Sequence, residues 1–369
     1  MSEARISIRR VRKGFERARP DPKKLGFGRY FSDHYTIAEW NRAQGWHDAR
    51  LLPLGPMALE PSAAVLHYGQ ETFEGLKAYR NSHDQLFLFR WQKNAARMRG
   101  SCERLVMPTV DESLFGRMVK AAVLADRDWI PREPGCSLYI RPNLIASDPF
   151  LGVHAAEEYT FYVMTGPVGA YFPEGVNPVR IKVEEEDVRA VRGGLGGAKT
   201  AANYAHSLRA QARAAKEGFT QVLWLDALER RWVEEVGTMN MAFIVDDELV
   251  TPPLGGTILA GVTRDSVLQL ARSWGMKVSE RPIAIDEVID GAQSGALQEA
   301  FGMGTAAVIA PVGKISYRGR EVTINGFETG PVAQRLYDTI TRIQLGEAED
   351  PFGWVERIDQ LELERVCGG

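Results

Sequence analysis

Hydrophobic and polar positions alternate or recur along most of the chain, and they predict its secondary structure. Gln85–Phe89 reads QLFLF and predicts a short buried strand. Ser137–Ala146 and Tyr159–Met164 are rich in aromatic and β-branched residues, as strands are. One helix is predicted from apolar residues that recur three or four positions apart: Trp91, Ala95, Met98, Cys102 and Leu105. A second helix is predicted over Asp111–Trp129, and its acidic start suits the helix dipole.

The second half of the chain repeats this mixture of elements. Helices are predicted over Ala201–Glu217, with Gly218 as C-cap, and from Thr263 to Gly275. Strands are predicted at Val179–Val183, Val222–Leu225, Trp232–Val245 and Leu249–Val250, with turns at Glu229–Arg231 and Asp246–Asp247. Strands and helices are interleaved in the first half, and the second half is expected to be a meander of strands with helices packed on it, which together predict an α/β (α+β) fold.

Prolines and glycines crowd the stretch Gly166–Pro178, a composition that breaks both helices and strands. We therefore expect three parts: a small N-terminal α/β domain with a basic arm at residues 1–167, an interdomain loop at 168–180, and a larger C-terminal domain at 181–369.

Composition narrows the class of protein. The 369 residues carry 45 Lys and Arg against 48 Asp and Glu, a formal net charge of -3. Such a balance argues against a protein that binds nucleic acid through bulk attraction to phosphate. No apolar run approaches the roughly 18–20 residues that a membrane-spanning helix needs. Three scattered cysteines and six unclustered histidines predict no disulfide framework and no metal site. We expect a cytoplasmic protein.

The first 24 residues form a basic arm. A secretory signal would need an apolar stretch after the bases, and none follows. A mitochondrial transit peptide would be poor in acids, whereas Glu3, Glu16 and Asp21 interrupt this arm. The arm is expected to be solvated.

The Gly-rich segment Gly193–Thr200 (GGLGGAKT) invites a comparison with phosphate-binding loops. A P-loop requires a second glycine where Ala198 stands, and a dinucleotide fingerprint requires a third glycine where Lys199 stands. Both patterns therefore fit poorly. Alternatively, the glycines give room around Lys199, whose amine would become a nucleophile for aldehydes if it were partly buried. Taken alone, the segment favours a surface lysine on a flexible loop.

A further set of residues could bind charged groups of a ligand, but each of them is a weak candidate when taken alone. Alternation along Trp232–Val245 places Glu235 on one face with Val233, Gly237 and Met239, where a carboxylate needs a cationic or proton-donating partner. An edge-strand glutamate facing water explains it equally well. Free N–H groups at Val262 and Thr263, where a helix begins, could seat a phosphate. The turn Gly302–Ala307 offers similar groups, and Arg97 lies at the margin of its helix's apolar face. Ordinary capping would explain each of these features singly.

Aromatic residues and an arginine form the last candidate group. Alternation in SLYIRP places Tyr139 and Arg141 on one face, where a phenol and a guanidinium could bind a carboxylate. Tyr68 and Phe73 precede them in the chain. A strand with a surface charge is the simpler alternative.

Taken together, these segments resemble the branched-chain amino acid aminotransferase family, among the fold type IV pyridoxal-phosphate enzymes. The resemblance extends from about Phe27 to the C-terminal region, and several ordered blocks carry it: LHYGQETFEGLKAYR, LYIRP, GGAKTAANYA, QVLWLDALERRWVEEVGTMN, LVTPPLGGTILAGVTRDS and FGMGTAA. It implies a small N-terminal domain, a larger C-terminal domain and a homodimer with active sites near the subunit interface.

The resemblance also implies roles for individual residues. Lys199 matches the lysine that forms the Schiff base with pyridoxal 5'-phosphate and shuttles the proton. Tyr204 matches the tyrosine that hydrogen-bonds the cofactor's phenolic oxygen. Glu235 matches the carboxylate that keeps the cofactor's pyridine nitrogen protonated. The phosphate cradle corresponds to Arg97, Val262, Thr263 and Thr305. Residues around the substrate's α-carboxylate correspond to Thr238, Ala306 and Ala307, and those of the substrate pocket to Phe27, Tyr68, Phe73, Tyr139, Arg141 and Tyr171. Leu151 and Val153 resemble residues lent by the partner subunit.

The activity implied is reversible transfer of the amino group of leucine, isoleucine or valine to 2-oxoglutarate, giving branched-chain 2-oxo acids and glutamate. Mammalian members carry a Cys-x-x-Cys pair where Ala307 and Ala310 stand, so no thiol switch is expected here. Three alternatives stay open: a nucleotide enzyme built on Gly193–Thr200, a non-catalytic member of the family, and a related fold type IV enzyme of shifted specificity.

Overall fold

The computed structural model describes residues 5–169 and 176–367. Within these ranges the strands are β1 (Ser7–Ile8), β2 (His34–Asn41), β3 (Gly45–Pro53), β4 (Glu71–Phe73), β5 (Leu76–Arg80), β6 (Leu86–Phe89), β7 (Ser137–Ala146), β8 (Glu158–Val168), β9 (Val179–Val183), β10 (Gln221–Leu225), β11 (Val233–Val236), β12 (Met239–Val245), β13 (Glu248–Thr251), β14 (Val278–Glu280), β15 (Leu297–Gly304), β16 (Val308–Tyr317), β17 (Arg320–Thr323) and β18 (Val355–Ile358). The α-helices there are α1 (Ala64–Tyr68), α2 (Trp91–Arg104), α3 (Glu112–Ala125), α4 (Ala201–Lys216), α5 (Val262–Ser273), α6 (Ile285–Ser294), α7 (Pro331–Gln344) and α8 (Gln360–Cys367).

The chain forms two compact units. The first consists of Met1–Tyr171, Ala198–Ala201 and Arg342–Gly369, and the second of Phe172–Gly197 and Ala202–Thr341. The short stretch Ala198–Ala201 contains Lys199, so this residue belongs to the first unit.

The first unit is built on a mixed sheet with the strand order β1-β3-β2-β8-β7-β5-β6-β18, and β4 pairs with β7. Helices α2 and α3 pack on this sheet through a continuous apolar core. In that core the ring of Phe115 on α3 stacks on Trp91 of α2 and on Phe161 of β8. Packing against the sheet and α3 fixes the position of α2, the helix that carries Asn94, Arg97 and Ser101.

Hydrophobic period and capping explain the two long helices of this unit. The predicted stripe of α2 is confirmed for Trp91, Ala95, Met98 and Cys102, which are all buried, whereas Leu105 lies just after the helix and is half-buried. Helix α3 begins after Asp111, whose side chain accepts a hydrogen bond from the Leu114 N–H at 2.7 Å. It ends at Ala125 rather than at Trp129, because the last predicted turn is a separate 3-10 turn at Arg127–Trp129.

The basic arm is less solvated than the sequence predicts. Ile6 is fully buried, and β1 pairs in parallel with β3. Further along, the Val11 N–H donates to His34 Nε2 at 2.9 Å and the Arg17 N–H donates to Asp33 Oδ1 at 2.7 Å. The basic side chains from Arg9 to Lys13 are nevertheless exposed, so this part of the arm is held by its backbone and by Ile6, whereas Arg17 donates to the Leu54 carbonyl and Arg19 lies over the Trp129 ring.

The second unit contains a sheet with the order β11-β10-β9-β16-β15-β12-β13-β14, in which β17 also pairs with β16. An additional β11–β12 pairing closes six of these strands into a barrel: β11, β10, β9, β16, β15 and β12. Buried side chains such as Met241 and Phe243 form the core of this unit. The predicted strands at residues 179–183 and 222–225 and the helix beginning near Thr263 are confirmed.

The prediction of one continuous strand over Trp232–Val245 is wrong. The chain turns at Gly237 and Thr238, where Gly237 has a φ of 56°, and returns as β12. Cross-strand partners share a face of a sheet, and here Glu235 pairs with Asn240 while Val236 pairs with Met239. Glu235 therefore shares its face with Asn240, and not with Met239 as the alternation of a single strand implies.

The interleaved strands and helices confirm the mixed α/β (α+β) fold. None of the helices in the described ranges combines the length and apolarity required to cross a membrane.

Candidate active site

Lys199 is held in the first unit by its own backbone. Its carbonyl oxygen accepts hydrogen bonds from the Phe73 N–H at 3.1 Å and from Thr72 Oγ1 at 3.0 Å. Its N–H donates to Ser101 Oγ of α2 at 2.9 Å. Strand β4 and helix α2 thus fix the position of this lysine on both sides.

The amine of Lys199 lies in a partly buried, cation-rich setting. Its Nζ is 4.8 Å from the centre of the Phe73 ring. The pKa of Lys199 is lowered from 10.5 to about 8: burial is the largest cause, the charge of Arg97 acts in the same direction, and Glu74 opposes both effects. The Gly-rich segment therefore carries a half-buried amine, not the surface lysine that it favours when taken alone.

Arg97 is paired with Glu74, a residue that the sequence does not single out. Arg97 Nε and Nη2 each lie 2.8 Å from a different carboxylate oxygen of Glu74, and Asn94 Nδ2 donates to the same carboxylate at 2.8 Å. The Glu74 side chain is fully buried. Burial alone would raise the pKa of Glu74, but the Arg97 guanidinium lowers it below its ordinary value. Arg97 is thereby held in one orientation beside Lys199.

Tyr139 and Arg141 lie on one face of β7, as the alternation predicts. Arg141 Nη2 donates to the Tyr139 hydroxyl at 3.0 Å, and the Arg141 guanidinium is 4.6 Å from the centre of the Phe73 ring. Phe27 contacts Tyr139 edge-on, with ring centres 4.8 Å apart. The phenol of Tyr139, the guanidinium of Arg141 and the rings of Phe27 and Phe73 therefore form one cluster near Lys199.

Three other predicted residues of the first unit are exposed. Tyr68 ends α1 and is 45% exposed, while Leu151 and Val153 are 63% and 88% exposed. Tyr171 lies outside the described residues. A residue that contacts a partner subunit must be exposed on the single chain, and Leu151 and Val153 meet this condition.

Glu235 lies in the second unit on β11 and is almost fully buried. Its Oε1 accepts hydrogen bonds from Asn240 Nδ2 at 3.1 Å and from the Leu259 N–H at 2.9 Å. Its Oε2 lies 3.0 Å from Nε of Arg189. The edge-strand alternative, in which Glu235 faces water, is therefore wrong.

The predicted phosphate and carboxylate residues of the second unit gather at one end of its sheet. Because Asn240 pairs with Met303, the β11–β12 turn with Thr238 lies beside the β15–β16 turn with Thr305, Ala306 and Ala307. Helix α5 begins at this end as well, since a Cβ on Gly261 would lie 2.0 Å from Asn240 Oδ1. Gly261 has no side chain to cap the N–H groups of Val262 and Thr263. Tyr204 is half-buried on α4 of the same unit.

A second lysine shows why Lys199 is not distinguished by its pKa alone. Burial lowers the pKa of Lys77 to about 8 as well, and Cys136 opposes this effect. Lys199 differs by lying among Arg97, Arg141 and Phe73, whereas Lys77 on β5 is the cross-strand partner of Tyr139. Lys77 is therefore a natural control for Lys199.

Sequence patterns did not identify Glu74 or Arg189. Glu74 lies within the block TFEGLK, but its partner Arg97 comes 23 positions later. Arg189 lies just before the glycines, and its contacts with Glu235 and Thr257 come from residues that are distant in sequence. A charge next to one or two apolar residues is the signal that each residue gives, and such a pattern is common on protein surfaces.

Both units suit a phosphorylated aldehyde cofactor of the pyridoxal type. The first offers a partly neutral amine beside a fixed guanidinium. The second offers a buried carboxylate able to pair with a protonated ring nitrogen, and a helix N-terminus that begins at glycine and can receive a phosphate. Asn240 can pack against the start of α5 because residue 261 lacks a Cβ.

Comparisons with known proteins agree with this geometry. The family model described as amino-transferase class IV matches residues 71–315. Branched-chain-amino-acid aminotransferase 2 of Bacillus subtilis is 51% identical over 346 residues, which cover 94% of this chain and 95% of that protein. A second B. subtilis protein, branched-chain-amino-acid transaminase 1, is 48% identical over 95% of this chain and 99% of its own length.

Solved structures show the same likeness. The branched-chain aminotransferase of Thermoproteus uzoniensis with norvaline superposes with a TM-score of 0.72 at 28% identity, covering 87% of this chain and 99% of that one. The T.th. branched-chain amino acid aminotransferase complexed with N-(5'-phosphopyridoxyl)-L-glutamate gives 0.71 at 26% identity, covering 91% and 99%.

The chain belongs to the class IV aminotransferase family and is an enzyme of the fold type IV group. Within that family its similarity is to the branched-chain-amino-acid aminotransferases, over nearly the whole chain.

Proposed function

We propose that the enzyme transfers the amino group of leucine, isoleucine or valine to 2-oxoglutarate, with pyridoxal 5'-phosphate joined to the amine of Lys199. One observation carries the proposal: a half-buried lysine with a pKa of about 8 lies within one cluster with Arg97, Arg141 and Tyr139. The names of the relatives reported above support the branched-chain amino donor. The phosphopyridoxyl-glutamate complex of one solved relative supports the cofactor and the second substrate.

Several residues would hold the cofactor. Arg97, the N–H groups of Val262 and Thr263, and Thr305 suit its phosphate, because they combine a guanidinium, a helix N-terminus and a hydroxyl. Tyr204 suits the phenolic oxygen, and Glu235 suits the ring nitrogen. When bound, the cofactor supplies an electron sink for the negative charge that develops at the substrate's α-carbon.

Lys199 moves the proton. With a pKa of about 8, roughly one amine in ten is neutral at pH 7, whereas the ordinary value would leave far fewer neutral. A neutral amine can accept the proton from the α-carbon of the substrate and would then deliver it to the aldehyde-derived carbon of the cofactor. The carbonyl and N–H contacts of Lys199 with Thr72, Phe73 and Ser101 keep its backbone fixed while the side chain moves.

Two kinds of side chain must share one pocket. Phe27, Phe73 and Tyr68 supply apolar area for a branched aliphatic chain. Arg141, hydrogen-bonded to Tyr139, supplies a fixed cation for the second carboxylate of glutamate. We assign the α-carboxylate to the two neighbouring turns with Thr238, Ala306 and Ala307, which the pairing of Asn240 with Met303 brings side by side.

We also propose that the enzyme is a homodimer. Leu151 and Val153 are large apolar residues in solvent, and burying them against a second copy would be favourable. In this proposal each copy lends them to the other's substrate pocket.

Substitution of the lysine tests the proposed function. Lys199→Ala should lower the rate of amino transfer from leucine to 2-oxoglutarate by a factor on the order of 10³ or more, because both covalent attachment and proton transfer are lost. Lys77→Met is the matched control, since it removes the other low-pKa lysine. Borohydride reduction of the holoenzyme, followed by peptide mapping, should place the pyridoxyl label on Lys199 in the wild-type and in the control.

Three results would contradict the proposal: substantial residual turnover in Lys199→Ala, a label on another lysine, or no label at all. A panel of amino donors with 2-oxoglutarate checks the substrate class. A strong preference for D-amino acids would instead support a related fold type IV enzyme of other specificity.

A further inference from the structure

Arg189 is the charged neighbour of Glu235 in the second unit, and no role has been assigned to it. Its Nε is 3.0 Å from Glu235 Oε2. Among the described residues this Nε–H has no acceptor in hydrogen-bond geometry, so the contact is an ion pair rather than a hydrogen bond. Both residues are more than nine-tenths buried. Water therefore screens this attraction little.

Two backbone carbonyls fix the guanidinium in place. Arg189 Nη2 donates to the Gly196 carbonyl at 3.1 Å and also to the Thr257 carbonyl. Gly196 precedes Lys199 by three residues, and Thr257 lies in the loop that leads to α5. The closeness of these segments is visible at Gly196, where a Cβ would lie 2.4 Å from the Thr257 carbonyl oxygen. Arg189 thus joins three segments of the candidate site.

Two further contacts of Glu235 are neutral. Asn240 and the Leu259 N–H both donate to Oε1, and neither carries a charge. Arg189, by contrast, is a cation that the structure places directly against this carboxylate. A guanidinium does not lose its proton in proteins, so its charge is permanent.

This charge decides where a shared proton resides. When a carboxylate faces a ring nitrogen, the proton belongs to whichever group binds it more strongly. A permanent cation beside the carboxylate stabilises its ionised form and weakens its hold on the proton. The proton is then left on the nitrogen.

We propose that Arg189 is a positioning residue that keeps Glu235 ionised, so that the proton between Glu235 and the cofactor lies on the ring nitrogen. The proposal rests on the role given to Glu235 under the proposed function. Without Arg189 the proton moves from the nitrogen to a Glu235 oxygen, which leaves a neutral ring and a weaker electron sink.

The test measures the ring nitrogen directly. Holoenzyme is prepared with pyridoxal 5'-phosphate labelled with ¹⁵N in the ring, and its ¹⁵N chemical shift is recorded by NMR. We expect the shift of a protonated nitrogen in the wild-type and of a neutral nitrogen in Arg189→Met. Arg189→Lys keeps a positive charge and should retain much of the protonated signal. We expect kcat to fall roughly tenfold or more in Arg189→Met, as a change of one pK unit or more would produce, with little change in KM.

Arg264→Met provides the matched control. Arg264 is buried in the same unit, its Nη2 donates to the Pro252 carbonyl at 3.0 Å, and it pairs with Glu280 at 2.9 Å. Its loss removes the same kind of contacts without touching Glu235. Thermal unfolding of all variants shows how much stability each substitution costs.

The outcomes separate this inference from the proposed function. A protonated nitrogen in both the wild-type and Arg189→Met would overturn the role of Arg189. A neutral nitrogen in Arg264→Met would do the same, because general loosening would then explain the effect. If Arg189→Met does not fold, a neutral nitrogen in Arg189→Lys would also overturn it. Wild-type enzyme that neither binds the labelled cofactor nor transfers amino groups would instead overturn the proposed function.

Discussion

Among individual residues, Lys199 shows how surroundings give a common side chain a special reactivity. Its amine is buried beside Arg97 and Arg141, and both cations make a further positive charge unfavourable. Glu74 limits this effect, because its carboxylate binds Arg97 and also attracts the Lys199 ammonium. The balance leaves the lysine partly neutral near physiological pH.

This balance predicts the pH dependence of the amine in cofactor-free enzyme. Because the pKa of Lys199 is lowered from 10.5 to about 8, its amine should be mostly neutral and reactive above about pH 8. The rate of its reaction with trinitrobenzenesulfonate, followed by peptide mapping, should be half-maximal near that pH. Lys77 should react with a similar midpoint, so Lys77→Met removes the background. A midpoint near the ordinary lysine value would contradict the environment described for Lys199.

At the scale of elements, the start of α5 is joined to Glu235 through Asn240. Asn240 Nδ2 donates both to Glu235 Oε1 and to the Leu259 carbonyl, at 3.1 and 2.8 Å. Gly261 begins α5 against the same side chain, with no room for a Cβ. The helix N-terminus and the buried carboxylate are thus parts of one packed arrangement.

Gly261→Ala tests this arrangement. The new Cβ would lie 2.0 Å from Asn240 Oδ1, so Asn240 or the helix must move. We expect a loss of about 1–3 kcal/mol in stability, as overpacking typically costs, and weaker binding of pyridoxal 5'-phosphate. Gly255→Ala is the control, because a Cβ there meets nothing within 4 Å. Equal cofactor affinity in the two variants, measured by fluorescence titration, would show that α5 and Asn240 are not coupled to the site.

Much of the fold could be predicted wherever local patterns decide the structure. The stripe of α2 follows from residues three and four apart, and β7 coincides with its predicted range, residues 137–146. The sequence does not reveal the hairpin after Val236, because no charged or proline-containing turn separates β11 from β12 and Gly237 is the main local mark of the turn. A single positive φ at a glycine leaves little trace in a hydrophobic pattern.

In the candidate site, too, contacts between residues close in sequence could be predicted, and contacts made by the tertiary fold could not. Tyr139 and Arg141 are two residues apart, so alternation places them together correctly. Glu74 and Arg97, or Arg189 and Glu235, meet only through the tertiary fold, and no spacing rule connects them. The sequence pattern made Arg97 and Glu235 candidates and the family resemblance gave them roles, while the charged residues that hold them became visible only in the structure.

For the whole molecule, the state of association is the property that the proposed site depends on most. Leu151 and Val153 are exposed on a single chain, and we propose that a second copy covers them. Sedimentation velocity of the holoenzyme should therefore give a species of twice 41.0 kDa. Val153→Asp should shift the population towards single chains and raise KM for leucine, because a charge would be buried at the contact. An active monomer would contradict the shared pocket.

The sheet of the first unit takes its two edge strands from opposite ends of the chain, β1 at residues 7–8 and β18 at residues 355–358. A ribosome releases β1 long before β18, because the second unit is translated between them. Strand β6, with its four buried apolar residues, must meanwhile wait with one edge uncovered. While its second unit is being translated, the nascent enzyme is therefore exposed to mispairing with nascent chains on neighbouring ribosomes of the same mRNA. Pairing of β18 with β6 then protects the sheet against aggregation.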